Sequence, residues 1–238
     1  MSSRNSSAEH APADSSWQSV ARIIDHTNLR PEATPSEIIR LCEEAKEFGL
    51  GAVMVNASHI ELAVSKLRDS YVKVGAVVGF PLGATLTSVK CFETAEALRL
   101  GAHEIDMVIN IGALKSGDRE QVLWDIKAVA DLAHKNGAIL KVILETALLT
   151  EDEKLLGCEL SEKAGADFVK TSTGFLGGVA TVQDVALMRR AVKIGVKASG
   201  GIRNAADARA MIAAGANRLG TSSGVKIIRE LRDGAFTK

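Results

Sequence analysis

Short β-branched apolar runs alternate with helical stretches of about 10 to 18 residues from Trp17 onward, and this alternation constrains the fold more than any other feature of the chain. The strand candidates are Ile23–His26, Gly51–Asn56, Lys73–Gly79, Glu104–Asn110, Leu140–Glu145, Phe168–Thr171, Gly195–Ala198 and Arg218–Gly220. Amphipathic segments separate them: Ser36–Phe48, Ile60–Arg68, Val89–Leu100, Arg119–Lys135, Asp152–Ala164, Val182–Lys193, Ala205–Ala213 and Val225–Arg232. Several of these stop on glycine (Gly49, Gly101, Gly137, Gly165), the residue that most readily adopts the left-handed cap of a helix. The runs GAVMV, VGAVV, VILE and FVK are nearly continuously apolar, as parallel strands covered on both faces require. An open doubly wound sheet would carry a glycine-rich turn after its first strand, and IDHTNLRPEATP is not one. The pattern therefore predicts a closed (β/α)₈ TIM barrel, for which 238 residues is close to the usual length of about 250. No Pro/Ser linker breaks residues 17–238, so a single domain is expected there. The first sixteen residues lack the apolar block of a secretory signal and read as a disordered tail.

Composition narrows the function classes. Twenty-nine basic side chains balance twenty-nine acidic ones, which argues against a global nucleic-acid-binding surface. No apolar run reaches the roughly 18 residues of a membrane span. Cys42, Cys91 and Cys158 are widely spaced with no CxxC pair, so neither a disulfide framework nor a zinc site is expected. They read as small buried hydrophobes on helices of a cytoplasmic protein.

Charged residues interrupt the apolar strand runs. Asp25 follows Ile23-Ile24, Asp106 sits within EIDMVIN, Lys141 and Glu145 bracket VIL, Lys170 follows DFV, and Lys197 follows IGV. A single strand-end lysine is usually a snorkelling or paired residue. Three on successive strands, together with these carboxylates, are costly to bury unless they are paired and used. Lysines around one cavity disfavour each other's charge, so one amine can be neutral near pH 7 and attack a carbonyl, which is the requirement for Schiff-base catalysis. Gly200-Gly201 after the seventh strand and Gly220–Gly224 after the eighth fall where this fold commonly binds phosphate, with Ser222 and Ser223 as additional donors. His26 and His59 lie near strand ends but belong to no HxH or HExxH pattern, and neither a GxSxG elbow nor a phosphate-binding GxxxxGK[ST] loop is present.

Longer motifs sharpen this reading. IDHTNLRPEAT, GFPLGAT, EIDMVINIGALKSGD, LKVILETALLT, GADFVKTSTGF, GVKASGGIR and RLGTSSG, in that order over about residues 20–224, resemble the deoxyribose-phosphate aldolases. The resemblance implies a class I aldolase on a (β/α)₈ barrel with no metal or cofactor. Its reaction is the reversible cleavage of 2-deoxy-D-ribose 5-phosphate to acetaldehyde and D-glyceraldehyde 3-phosphate. It assigns the Schiff-base lysine of the KTSTG motif to Lys170, the second lysine of VKASGG to Lys197 and the proton-relay aspartate to Asp106. Asp25, Asn56, Lys141, Thr173, Gly174, Gly200, Gly201, Ser222 and Ser223 are the implied substrate-binding positions. Small phosphosugars and aldehydes are the expected partners, with a homodimer as the expected assembly, and with neither nucleic acid nor membrane. The competing readings are another Schiff-base barrel enzyme such as a transaldolase, a metal-dependent sugar-phosphate isomerase, and a non-catalytic phosphosugar-binding barrel. Two departures from the family stand out. Met54 and Ala57 replace the Cys and Pro of its CVNP strand, and the chain ends in AFTK where some members end in a tyrosine; its one tyrosine is Tyr71.

Overall fold

The computed structural model describes residues 16–234. The tail reading of residues 1–15 and the AFTK terminus lie outside the described residues. Ser16, read as part of that tail, instead caps the first helix by accepting the Ser19 N–H.

Eight parallel strands, each hydrogen-bonded to the next and the last to the first, close a barrel in sequence order. They are β1 (Ile24–Asn28), β2 (Ala52–Val55), β3 (Lys73–Val78), β4 (Glu104–Val108), β5 (Ile139–Ile143), β6 (Phe168–Lys170), β7 (Gly195–Ser199) and β8 (Arg218–Thr221). The helices are α1 (Trp17–Arg22), α2 (Pro35–Glu47), α3 (Ile60–Leu67), α4 (Thr87–Arg99), α5 (Ile111–Lys115), α6 (Arg119–Lys135), α7 (Glu151–Lys163), α8 (Val182–Ala191), α9 (Ala205–Ala213) and α10 (Gly224–Gly234). Every expected strand and helix is present within a few residues. The additions are α1, which precedes β1, and the short α5, whose start is fixed by Asn110 accepting the Ala113 N–H. Thr34 and Thr150 open α2 and α7 with reciprocal capping boxes to Glu37 and Glu153. None of the described helices is long and apolar enough to cross a membrane.

Because side chains alternate along a strand, one set packs outward under the helices and the other fills the barrel. The outward set includes Val53, Ile105, Met107, Leu140, Val142, Val169, Val196 and Leu219, all fully buried. Inside, bulk is complemented by glycine. A Cβ on Gly195 would lie 2.1 Å from the Phe168 ring, and one on Gly220 would lie 3.1 Å from Lys197 Cε. Those two glycines make room for the Phe168 plug and for the Lys197 stem. Met54, at the position of the family's cysteine, is also buried, with its sulfur against Gly75.

The cysteines behave as expected of small apolar groups. Cys42 and Cys158 are buried and Cys91 is partly buried. Burial pushes the Cys42 thiol up to about 11 and the Cys158 thiol up to about 12, which leaves both unreactive at neutral pH. Tyr71 is held under the Arg22 guanidinium beside Gly49, at the N-terminal face of the barrel and away from the strand ends where a proton shuttle would be needed.

Candidate active site

Strand register brings the charged residues together. Asp106 pairs across β4 and β5 with Lys141, Lys170 pairs across β6 and β7 with Lys197, and Lys197 pairs with Arg218 on β8. All point into the barrel, so their heads meet near its axis. Asp106 Oδ2 accepts from both Lys170 Nζ (2.9 Å) and Lys197 Nζ (2.8 Å), while Oδ1 accepts from Lys141 Nζ (2.8 Å). Lys197 also donates to Asp25 Oδ2. Below them Arg218 donates to Asp25 Oδ1 (2.6 Å) and to both oxygens of Glu104, and Lys141 donates to Glu104 Oε2 (2.6 Å).

The charge count of this cluster decides which amine is neutral. Asp25, Glu104 and Asp106 supply three negative charges against four potential cations, Lys141, Lys170, Lys197 and Arg218. Burial would raise Asp106, but the ammonium groups around it hold it well below the usual carboxylate range. Asp25 and Glu104 are lowered for the same reason, by Arg218, Lys141 and, for Asp25, Lys197. Contact with three carboxylates outweighs burial at Lys141 and raises it. Lys170 touches one carboxylate oxygen already shared with Lys197, and its pKa falls to about 8. Burial is the first cause of that fall, and the charges of Lys197 and Lys141 add to it, in line with the mutual repulsion expected of lysines around one cavity. With Lys170 neutral, the buried charges balance.

A cavity of about 680 Å³ opens above this layer, lined by residues from the ends of β1, β6, β7 and β8 and from α2 and α10. Of the charged cluster only Lys170 reaches its wall; Asp25, Asp106, Lys141 and Lys197 do not line it. The expected positions Thr173, Gly174, Gly200, Gly201, Ser222 and Ser223 do. Gly200 and Gly201 adopt φ of 96° and 78°, conformations that favour glycine and let the backbone come close to whatever occupies the cavity. The N-terminus of α10 faces the same side, and Arg203 and Lys226 stand at the rim, so oriented amides and positive charge converge where a phosphate is expected. The opposite wall carries Phe175, which meets Phe80 edge-on at 5.2 Å between ring centres.

Of the expected binding positions, Asp25 and Lys141 sit beneath the cavity and Asn56 lies beside it, none of them on its wall. Asn56 Nδ2 donates to the carbonyls of Leu29 (3.1 Å) and Arg30 (3.4 Å), so it buttresses the loop after β1 instead of lining the cavity. His59 supports the same loop through Ala33 O. His26 lines the cavity, paired at 2.7 Å with Glu44 of α2. Among the described residues no group of three His, Cys, Asp or Glu side chains is placed to hold a metal ion.

Glu104 and Arg218 were not singled out by sequence, although they complete the charge network. Glu104 carried a usable signal, since it lies two residues before Asp106 and so shares its strand face. Arg218 opens its strand after Asn217 and reads as a boundary residue; only closure of the barrel shows that it points inward.

Residues 19–230 match the model of the DeoC/LacD family aldolase. A deoxyribose-phosphate aldolase of Thermococcus gammatolerans is 57% identical over 218 residues, covering 90% of this chain and 97% of the relative. One of Halalkalibacterium halodurans is 55% identical over 223 residues, covering 92% and 99%. A solved structure of a tetrameric deoxyribose phosphate aldolase from Aeropyrum pernix superposes with a TM-score of 0.86 at 35% identity, covering 91% of this chain and 92% of that one.

Proposed function

The chain belongs to the DeoC/LacD family of aldolases, and from that premise we propose which residues carry its reaction. The protein is a class I deoxyribose-phosphate aldolase, a lyase that reversibly cleaves 2-deoxy-D-ribose 5-phosphate to acetaldehyde and D-glyceraldehyde 3-phosphate. Lys170 is the nucleophile. Its neutral Nζ adds to the C1 aldehyde of the open-chain sugar, and the carbinolamine loses water to give an iminium. The C3 hydroxyl gives up its proton, the C2–C3 bond breaks, and its electron pair flows into the iminium. D-Glyceraldehyde 3-phosphate leaves, and an enamine stays on Lys170. Protonation at C2 regenerates the iminium, and water hydrolyses it to acetaldehyde and the free amine.

Lys197 and Asp106 handle the protons. Both amines touch Asp106 Oδ2, so that oxygen lies on a direct route between them. The ammonium groups of Lys141 and Lys197 keep Asp106 ionised when Lys170 is neutral, which makes it an acceptor and orienting group for the proton that moves. Asp25 and Lys141 act from beneath the cavity floor by fixing Lys197 and Asp106. Gly200, Gly201, Ser222 and Ser223 bind the phosphate, and Thr173 and Gly174 flank the sugar.

The observation that carries this assignment is the placement of Lys170: a nearly buried amine with pKa near 8, at the wall of the cavity, sharing one carboxylate oxygen with a second lysine. Borohydride reduction in the presence of acetaldehyde, followed by peptide mapping, tests it. A two-carbon adduct on Lys170 is expected; an adduct on Lys197 or Lys141 overturns the division of roles.

We further propose that the enzyme works in the cytoplasm as a homodimer. Leu86 just before α4, Val89 and Phe92 on it, and Trp124 on the adjoining α6 are exposed and support self-association through this face. Sedimentation of the parent and of Phe92→Glu decides the matter, with a monomeric parent counting against it.

A further inference from the structure

Glu145 is the one non-glycine residue with positive φ (58°) among the described residues. It stands just past the end of β5 and is completely buried. A long side chain in a left-handed conformation is disfavoured, and such strain persists where the surroundings over-determine it, often beside a functional site. Here the surroundings are the loop that follows Lys170. Glu145 Oε2 accepts both the Thr173 N–H (3.0 Å) and the Thr173 hydroxyl (2.5 Å), and Thr173 Oγ in turn accepts the Phe175 N–H (3.1 Å). The cavity wall formed by Thr173, Gly174 and Phe175 is thus set by one carboxylate oxygen.

The second oxygen faces the returning limb of the same loop. Glu145 Oε1 has no hydrogen-bond partner. A Cβ on Gly178 would lie 2.8 Å from it, and Ser172 Oγ, also unpartnered, is on the same side. Two residues further on, Ala180 N–H donates to Gly200 O at 2.9 Å, which ties this limb to the Gly200–Gly201 loop. Glu145 therefore lies between the segment that carries the nucleophile and the segment that packs on the phosphate loop. Its hydrogen bonds go to Thr173, and the largest influences on the Lys170 amine are burial, Asp106, Lys197 and Lys141.

We propose that Glu145 is a positioning residue for substrate binding, setting the Thr173–Phe175 wall relative to Lys170 through Thr173. This rests on the cavity being the deoxyribose-phosphate site. A side chain of this length is suited to the task because its one oxygen reaches and accepts both Thr173 donors.

The test uses the full chain with Glu145→Asp and Glu145→Gln. Aspartate tolerates the left-handed conformation better than glutamate does, so the fold is retained while the carboxylate withdraws by one methylene from Thr173. For Glu145→Asp, the KM for 2-deoxy-D-ribose 5-phosphate should rise about tenfold. Its kcat per borohydride-trappable site should change less than about threefold, and the pH midpoint of trapping should not move. Glu145→Gln keeps an oxygen for Thr173 and a donor toward Ser172, and should bring KM back toward the parent. Thr173→Val should raise KM by itself, and combining it with Glu145→Asp should add little further, since both remove the same link. A Glu145→Asp KM within twofold of the parent overturns the proposal. So does a Gln variant as impaired as Asp, a displaced trapping midpoint, or additive effects of the pair. Failure of the folded parent to trap acetaldehyde on any lysine would refute the Schiff-base reading of the cavity instead.

Discussion

Replacement of Lys197 by methionine isolates the part of the Lys170 amine's behaviour that comes from charge. The two Nζ atoms lie 2.9 and 2.8 Å from the same oxygen of Asp106, so they are within about 6 Å of each other. At an effective dielectric of about 20, two like charges at that distance repel by about 3 kcal/mol, equivalent to two pH units. The parent amine has its midpoint near pH 8; Lys197→Met should carry the midpoint up by about two pH units. The charge count leads to the same direction. Without Lys197 the three buried carboxylates face only Lys141 and Arg218, so a proton on Lys170 restores balance. At pH 7.5 the neutral fraction falls from roughly a quarter to below roughly one hundredth, and imine formation slows close to a hundredfold. The assay is the pseudo-first-order rate of borohydride-trapped acetaldehyde adduct on Lys170, measured from pH 6.5 to 10.5, with circular dichroism confirming the fold. Recovery of the variant's rate toward pH 10 is expected. A variant whose midpoint stays near 8 would show that burial alone sets the amine, and the charge argument would be wrong.

Other predictions concern different links of the same structure. Because Lys170 is deprotonated in the native state from about pH 8 but not until about 10.5 when unfolded, the unfolded chain binds more protons in that window and stability rises with pH. Urea titrations of parent and Lys170→Met at pH 7 and 9.5 should show the parent gaining about 2 kcal/mol relative to the variant; a constant difference would contradict the lowered pKa. Lys170→Met should also abolish trapping and reduce cleavage by more than the ~10²–10⁴ attributed to a single acid–base group. Gly201→Ala places a Cβ 3.0 Å from Val179 at a φ of 78°. It should raise KM for the phosphorylated sugar well above tenfold while leaving acetaldehyde trapping near the parent rate; equal loss of both would argue against a phosphate-specific role. On the outside of the barrel, Lys90 of α4 and Asp125 of α6 form a fully buried ion pair at 2.5 Å. Asp125→Ala strands the ammonium and should cost about 3–5 kcal/mol in urea unfolding, whereas the double replacement Lys90→Met/Asp125→Leu should recover much of that loss.

What the sequence determined by itself follows from local rules. Alternation of apolar strands with amphipathic helices, and glycines at helix ends, depend on residues near one another in the chain, so the number and order of the βα units could be read directly. The catalytic candidates Lys170, Lys197 and Asp106 were legible because a charge inside an apolar strand is conspicuous in one dimension. Tertiary closure decided the rest. Whether a strand's first residue points inward depends on register around all eight strands, which is why Arg218 gained its role only in three dimensions, whereas the face of Glu104 follows from its spacing to Asp106. Asn56 carried the right chemistry at a strand end, yet the β1 loop folds across it and takes its amide. The residue types by themselves left open which amine is neutral, and only the resemblance of the KTSTG motif pointed to Lys170. Three similar lysines differ only in how many carboxylate oxygens each meets and how deeply each is buried, and those are sums over strands brought together by closing the barrel.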